Sequence, residues 1–271
     1  MITRLGHAGH ESWLYLVVNG ACKEADYAHL EANLPNNITI RKAEQMALLA
    51  LQGPKAAQIL SRLAPVATEM NFMTALDLDI GDFWAHISRS GYTGEDGYEI
   101  SVQEKDVATL WERLCADVDV EPIGLGARDS LRLEGGLCLY GHDIDETTSP
   151  IEAKLAWSIS KRRRAEGGFP GADRIQRELR DGASRKRVGI LPEGPAPARE
   201  GTIVHASGGA EIGMITSGGF GPSFGGPVAM GYVSSEFAAT GTKLDLIVRG
   251  KARPASVAAM PFVPANFYRG K

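Results

Sequence analysis

Three cysteines, Cys22, Cys115 and Cys138, are all that the 271-residue chain contains. An odd number at such wide spacing makes neither a disulfide framework nor a CxxC metal site, and it points to a reducing compartment. No apolar run approaches the roughly 18 residues of a membrane span. The opening MITRLGHAGHESW has neither the apolar segment of a signal peptide nor a basic amphipathic transit helix. Excess positive charge is absent as well. With 29 Lys+Arg against 33 Asp+Glu, the formal charge of −4 leaves no summed positive field for non-specific nucleic-acid binding. Neither a membrane nor a nucleic acid is expected as a partner. What is present is ordinary soluble composition, 44% hydrophobic and 23% charged, which excludes disorder and allows one large domain or two ordinary ones.

Glycine gives the first sign of organisation. Residues 1–183 hold 17 glycines and the last 88 residues hold 15, so glycine density roughly doubles near Ser184. Before that point strands and helices interleave. Trp13 to Val18 reads as a short buried strand, Glu24 to Leu34 as a helix and Met46 to Leu51 as another strand, with Pro54 opening a helix ahead of Ile59, Leu60 and Leu63. Tyr98, Ile100 and Val102 alternate with Glu99 and Ser101, while Val107, Leu110, Trp111 and Leu114 recur at helical spacing. After that point, short β-rich pieces fall between Gly and Pro turns: Arg187 to Leu191, Thr202 to His205, Ile212 to Thr216, Val228 to Val233 and Leu244 to Val248. Strands at near-regular spacing imply a small barrel or sandwich. The expected organisation is an α+β chain: a mixed α/β domain over 1–165, a connection over 166–183 that includes GGFPGADRIQREL, and a β domain over 184–271.

Four segments carry candidate chemistry. In SRSGYTGEDGYEISV, Gly91, Gly94 and Gly97 permit close approach of a flat ligand, but the order of strand, glycines and helix is not that of a dinucleotide fingerprint. Glu99 lies on the strand face opposite Tyr98, Ile100 and Val102, so it points either into solvent or into a cleft. In a cleft its carboxylate can accept two parallel N–H bonds from a guanidine-like heterocycle such as a pterin. In IGLGARDSLRLEGG, Arg128 and Arg132 sit at i and i+4 and repel. Asp129 or Glu134 can pair with Arg132, whereas Arg128 has no acid three or four positions away and needs an acid or a ligand from elsewhere in the fold. In LYGHDIDETTSP, His142, Asp143, Asp145 and Glu146 lack the glycine and distant glutamate of a calcium loop, and one histidine among scattered acids is a poor zinc set. That segment reads as a capped, solvated loop, and no metal is expected. The basic run Lys161 to Arg164 reads as a solvated terminus or as a surface for phosphate or an acidic protein.

Taken together, SRSGYTGEDGYEIS, GARDSLRLEGGLCLYGHDIDETTSPIE, WSISKRRR with FPGA after it, and the terminal MPFVPANFY resemble the aminomethyltransferases of the glycine cleavage system, the T-protein family, from Trp13 onward. The resemblance implies a folate-binding α/β domain followed by a carboxyl-terminal β-barrel. It also implies transfer of a one-carbon unit from the aminomethyl-loaded lipoyl arm of an H-protein to tetrahydrofolate, with release of ammonia. Carried over residue by residue, Glu99 matches the family's pterin-binding glutamate, Arg128 its substrate-binding arginine and Asn19 an asparagine lining the folate site. Trp157 matches a tryptophan near the folate, and its alternation with Leu155 and Ile159 equally suits a core position. Phe267 stands where the family commonly has tyrosine, so that hydroxyl's hydrogen bond is lost. Asn19 also suits a turn after a strand.

The family normally carries further residues before this point, including an aspartate beside the reacting folate nitrogen. That residue would precede Met1, so no catalytic residue is assigned, and the chain is expected to be an incomplete form with exposed apolar surface. A non-catalytic folate-binding module is the alternative reading. The cellular compartment implied is the bacterial cytoplasm or the mitochondrial matrix.

Overall fold

The computed structural model describes residues 1–5, 9 and 11–270. Contacts group the chain into two compact units, one of Met1–Gly91, Glu95–Pro122 and the stretch from Asn266, the other of Tyr92–Gly94 and Ile123–Ala265.

The first unit opens with a two-stranded ribbon, β1 (Ile2–Arg4) and β2 (Leu14–Leu16), followed by helix α1 (Lys23–Asn33). Its body is a four-stranded antiparallel sheet in the order β3-β6-β5-β4, made of β3 (Met46–Gln52), β4 (Ala75–Ile80), β5 (Phe83–Ser88) and β6 (Gly97–Gln103). Helices α2 (Ala56–Leu60) and α3 (Glu104–Cys115) cover one face. Because strand side chains alternate, Tyr98, Ile100 and Val102 of β6 and Ala85 and Ile87 of β5 all point to that face, where each is fully buried against Leu60 and Leu110. Burying an aliphatic or aromatic side chain of this size contributes about 1.5–3 kcal/mol. The opposite face receives Glu99, Ser101, Ser88 and His86.

The expected helix at 24–34 and the strands at 46–51 and 98–102 are present. The apolar run at 13–18 is not a buried strand: Leu14 is 55% exposed and only the Tyr15 side is covered, its hydroxyl donating to Ser101 Oγ at 3.0 Å. Nor is Trp111 buried, being 44% exposed on α3 while Leu110 and Leu114 pack inward.

The second unit contains α4 (Leu125–Glu134), α5 (Lys161–Glu166), α6 (Ala172–Asp181) and six strands: β7 (Arg185–Pro192), β8 (Ile203–Ala206), β9 (Glu211–Gly221), β10 (Gly226–Ser234), β11 (Lys243–Val248) and β12 (Lys251–Ala258). The strands close into a barrel in the order β10-β7-β12-β11-β8-β9, so of the two β architectures expected the barrel is the one formed. Val188, Ile190, Ile215 and Leu246 fill its interior. Where Gly213 of β9 pairs with Val233 of β10, a Cβ on the glycine would lie 1.9 Å from the Tyr232 carbonyl oxygen, so only glycine allows the strands to close there. Helix α4 is mounted outside on β9 and β10 through Leu133, which packs with Val228 and Met230.

Tyr98 predicts the alkaline limit of the first unit. Its ring is fully buried, its hydroxyl donates to the Ala67 carbonyl at 3.0 Å, and burial pushes its pKa up from 10 to about 12 against the opposing Arg89 charge. Above pH 10 the unfolded chain releases this proton while the folded chain keeps it, so this contribution is complete below pH 10 and is lost as pH rises toward 12. Urea denaturation at stepped pH should show a steeper fall over that window for the native chain than for Tyr98→Phe. Equal slopes would remove the assignment.

Candidate functional site

Glu99 occupies the middle of β6, with Ser88 of β5 and Ala50 of β3 as its cross-strand partners. It is half-buried, and Ser90 Oγ donates to its Oε2 at 3.2 Å while Ser88 and Ser90 share a 2.8 Å hydroxyl contact. One carboxylate oxygen is therefore oriented by the protein while the other has no hydrogen bond among the described residues, a geometry that leaves room for N–H donors of a ligand. The loop before β6 is pinned by Gln52, whose Nε2 donates to the Ser90 carbonyl at 3.0 Å and to the Tyr98 carbonyl at 3.1 Å. That amide fills the space a Cβ on Gly91 or Gly97 would take, at 1.7 and 2.7 Å respectively. These two glycines serve loop packing, and through it the setting of Ser90 against Glu99. Deeper in the same unit, the buried Arg89 guanidinium holds Asp96 through Nε at 2.9 Å and Nη2 at 2.5 Å.

In the second unit Arg128 is exposed on α4, its guanidinium 4.5 Å from the Tyr92 ring centroid. It makes no ion pair among the described residues. The Tyr92 hydroxyl donates to the Cys138 carbonyl, and burial pushes the phenol up to about 12, an effect opposed by the Arg132 and Arg128 charges. Tyr92 thus stays neutral and offers Arg128 a fixed ring face, a cation–π contact worth about 0.5–1 kcal/mol at an exposed position.

Below Arg128 on the same helix, Arg132 is buried and pairs with Asp129 at 2.6 Å and Asp143 at 2.7 Å. Glu134 takes a different role, accepting from the Ser223 and Phe224 amides, both at 2.7 Å. The segment at 139–150 departs from a wholly solvated loop. Asp145 caps it by accepting from the Thr147 amide and the Thr147 and Thr148 hydroxyls, and His142 meets Glu200 at 2.7 Å, but Asp143 is 1% exposed. Its carboxylate accepts from Arg132, the Leu139 amide at 2.9 Å, Thr216 Oγ1 at 2.5 Å and Ser217 Oγ at 2.8 Å, and its carbonyl accepts from the Tyr232 hydroxyl at 2.8 Å. Among the described residues no group of three or more His, Cys, Asp or Glu side chains is arranged to hold a metal ion.

The other expected positions divide. In the first unit, Asn19 is exposed at the start of a 3-10 turn, its carbonyl accepting from the Cys22 amide at 3.0 Å. There too, Phe267 stacks face to face on Phe72, with centroids 3.9 Å apart and planes 10° apart. In the second, Trp157 lies in a 3-10 turn at 77% exposure, which excludes the core alternative for it. The basic run forms α5 with local partners: Ser160 caps it, Arg162 meets Glu166 at 2.7 Å, and Arg164 Nε donates to the Ile159 carbonyl at 2.9 Å. Sequence reasoning missed Tyr92 and Asp143 as supporting residues, since both act on partners brought near by folding.

A mixed α/β unit carrying the oriented acid and a second unit built on a six-stranded barrel define an α+β architecture of two units. The family model described as the GCVT N-terminal domain matches residues 6–163, and that of the glycine cleavage T-protein C-terminal barrel domain matches 185–264. The chain belongs to the glycine cleavage T-protein family, the aminomethyltransferases. It is 45% identical over 263 residues to the Schizosaccharomyces pombe protein named "Probable aminomethyltransferase, mitochondrial", covering 96% of this chain and 67% of that one. It is 43% identical over 285 residues to the "Aminomethyltransferase, mitochondrial" of Dictyostelium discoideum, covering 98% and 69%. Among solved structures, the glycine cleavage system aminomethyltransferase T from Bartonella henselae is similar with a TM-score of 0.86 and 43% identity, over 92% of this chain and 68% of that one. The chain therefore spans about two thirds of the length of these relatives.

The Asp143 cluster carries a stability prediction. Asp143→Asn leaves the Arg132 guanidinium buried without its inner partner and should destabilise the fold by about 3–5 kcal/mol. Asp129→Asn, at the solvent edge of the same arginine, should cost about 1 kcal/mol or less. Chemical denaturation of the two variants measures the contrast, and equal losses would deny Asp143 its central place.

Proposed function

We propose that the protein transfers the one-carbon unit of an aminomethyl group, carried on the lipoyl arm of an H-protein, to tetrahydrofolate. The aminomethyl C–N bond and the C–S bond to the lipoyl arm both break, nitrogen leaves as ammonia and sulfur stays on the arm as a thiol. The methylene carbon bonds to two folate nitrogens as 5,10-methylenetetrahydrofolate, their two N–H protons passing to the departing nitrogen and sulfur. The observation that carries this reading is the Glu99 carboxylate, held by Ser90 with one oxygen uncommitted among the described residues on a half-buried sheet face, in a chain of this family. A pterin edge presents a ring N–H beside an amine, and a carboxylate accepts that pair with two parallel, charge-assisted bonds.

Arg128 is the second substrate-binding group in this reading, its ring-backed guanidinium free of any carboxylate within the described residues. Asn19, Phe267 and Trp157 complete the set as folate-contacting residues. Phe267 supplies a stacked ring without a hydroxyl, so its contribution is packing alone. The chemistry asked of these groups is positioning: a bound folate nitrogen and a delivered methylene carbon gain effective concentration when held together. H-protein and tetrahydrofolate act as the partner and the acceptor, in the bacterial cytoplasm or the mitochondrial matrix. Among the described residues, no helix is long and apolar enough to cross a membrane.

Glu99→Gln replaces a charged pair of acceptor oxygens with a neutral amide that has one acceptor oxygen and a donating NH2. It should weaken tetrahydrofolate binding by about 1.5–3 kcal/mol, roughly 10- to 150-fold. Calorimetry with tetrahydrofolate reads the affinity, and ammonia release from aminomethyl-loaded H-protein reads the transfer. Unchanged affinity would return Glu99 to a solvent-facing role. Tight folate binding by the native chain with no transfer would reduce it to a binding module.

A further inference from the structure

A guanidinium buried away from water is expected to carry an acid with it. Among the described residues three arginines are 5% exposed or less: Arg89, Arg132 and Arg187. The first holds Asp96 through two nitrogens, and the second holds Asp129 and Asp143. Arg187 breaks the pattern. Its Nε donates to the Ala153 carbonyl at 3.0 Å, and its Nη1 donates to the Gly136 carbonyl at 2.9 Å and approaches the thioethers of Met230 at 3.1 Å and Met260 at 3.9 Å. Every one of these acceptors is neutral. No carboxylate pairs with Arg187 among the described residues, and its Nη2 takes no hydrogen bond there. Nor is Nη2 one of the two polar atoms sealed from solvent without a partner, so it is open to the space beside it.

That space is a cavity of about 360 Å³ in the second unit, lined by Arg187, Lys154, Thr240, Met260 and the backbone of Gly135 and Gly136. Lys154 reaches it from a left-handed backbone conformation, φ +57°, which a lysine rarely adopts. The residue as a whole is exposed, but partial desolvation lowers the pKa of its amine, and the charges of Arg187 and Lys186 lower it further; both of those neighbours are positive. The nearest acid along the chain, Glu152, is already committed to Arg185 at 2.7 Å, Arg174 at 3.0 Å and the Ser149 amide at 2.7 Å. Two cations thus converge on one cavity with no acid among the described residues to balance them.

We infer that this cavity is a binding site for a compact oxyanion, with Arg187 and Lys154 as its charged contacts and the Thr240 hydroxyl at its edge. The planar fork of a guanidinium matches the oxygens of a carboxylate or a phosphate equally well, and a mobile ammonium adds a point charge to either. The ligand is therefore a small molecule bearing one such group. This inference is independent of the transfer reaction and of Glu99.

The test uses the full chain with two probes, inorganic phosphate and acetate, each titrated by calorimetry and by thermal melting against sodium chloride at matched ionic strength. At least one probe should bind saturably at one site per chain and raise the melting temperature. Phosphate alone would assign a phosphoryl ligand, acetate alone a carboxylate, and both a site indifferent to the two. Lys154→Gly removes one charge and relieves the left-handed strain, so it should fold at least as well as the native chain and bind about tenfold more weakly or worse. Arg187→Met should abolish binding where it folds, and Lys154→Gly decides the matter where it does not. Failure of both probes to bind the native chain overturns the inference, as does equal affinity in Lys154→Gly.

Discussion

The second unit depends on one buried carboxylate. Asp143 gathers an arginine from α4, an amide from its own loop and two hydroxyls from β9, while its carbonyl takes the hydroxyl of Tyr232 on β10. An unpaired carboxylate at that depth would be prohibitively costly, so the cluster must be satisfied all at once or not form. That requirement fixes α4 on the barrel in a single register, because moving the helix by one turn would take Arg132 away from the acid. The apolar contact of Leu133 with Val228 and Met230 supplies attraction, while the acid supplies position. Arg128, one turn earlier on the helix, inherits that position, with its guanidinium over the Tyr92 ring.

The first unit reaches a similar end by a different rule, the alternation of a β-strand. Three consecutive residues of β6 show it: Tyr98 is buried on the helix-covered face, Glu99 emerges on the other, and Ile100 returns to the core. The residues that stabilise the sheet and the residue that offers chemistry are neighbours in sequence yet lie on opposite faces. A shift of register by one position would bury the carboxylate and expose the tyrosine, so core packing itself sets the direction of Glu99. Ser90 and Gln52 then restrict what remains, the rotation of the carboxylate and the path of the loop.

Much of this was legible in sequence because it is local. The alternation around Glu99 and the helical spacing of Leu110 and Leu114 need no tertiary information, and the glycine-separated β segments imply a small barrel or sandwich. The hairpin of β4 and β5, turned at Gly81 with φ +59°, carries an apolar alternation of the same kind at Leu76, Leu78 and Ile80. Strand β12 hid behind Lys251, Arg253 and Pro254, which lower β propensity on a solvent-facing half, and only Ala255 and Val257 point inward. Asp143 was illegible for a deeper reason. Its partners Thr216 and Ser217 lie more than seventy positions away, and nothing in an HDIDE sequence tells which of its acids will be enclosed. Tyr92 stands in plain view inside a glycine-rich loop, but its pairing with Arg128 is a fact of folding.

The buried arginines extend the same logic. Where a fold encloses a cation, the cost of desolvation forces the surrounding groups to answer it, and the acids beside Arg89 and Arg132 do so with full charge. At Arg187 the answer is two carbonyls and two sulfurs, enough to satisfy hydrogen bonds but not to cancel charge. Adding a lysine at the same cavity in a strained backbone conformation worsens the imbalance, and a sequence under selection for stability alone would favour glycine at that position. A locally unfavourable residue that raises an unbalanced field around an open cavity is best explained by something that enters the cavity and carries the opposite charge.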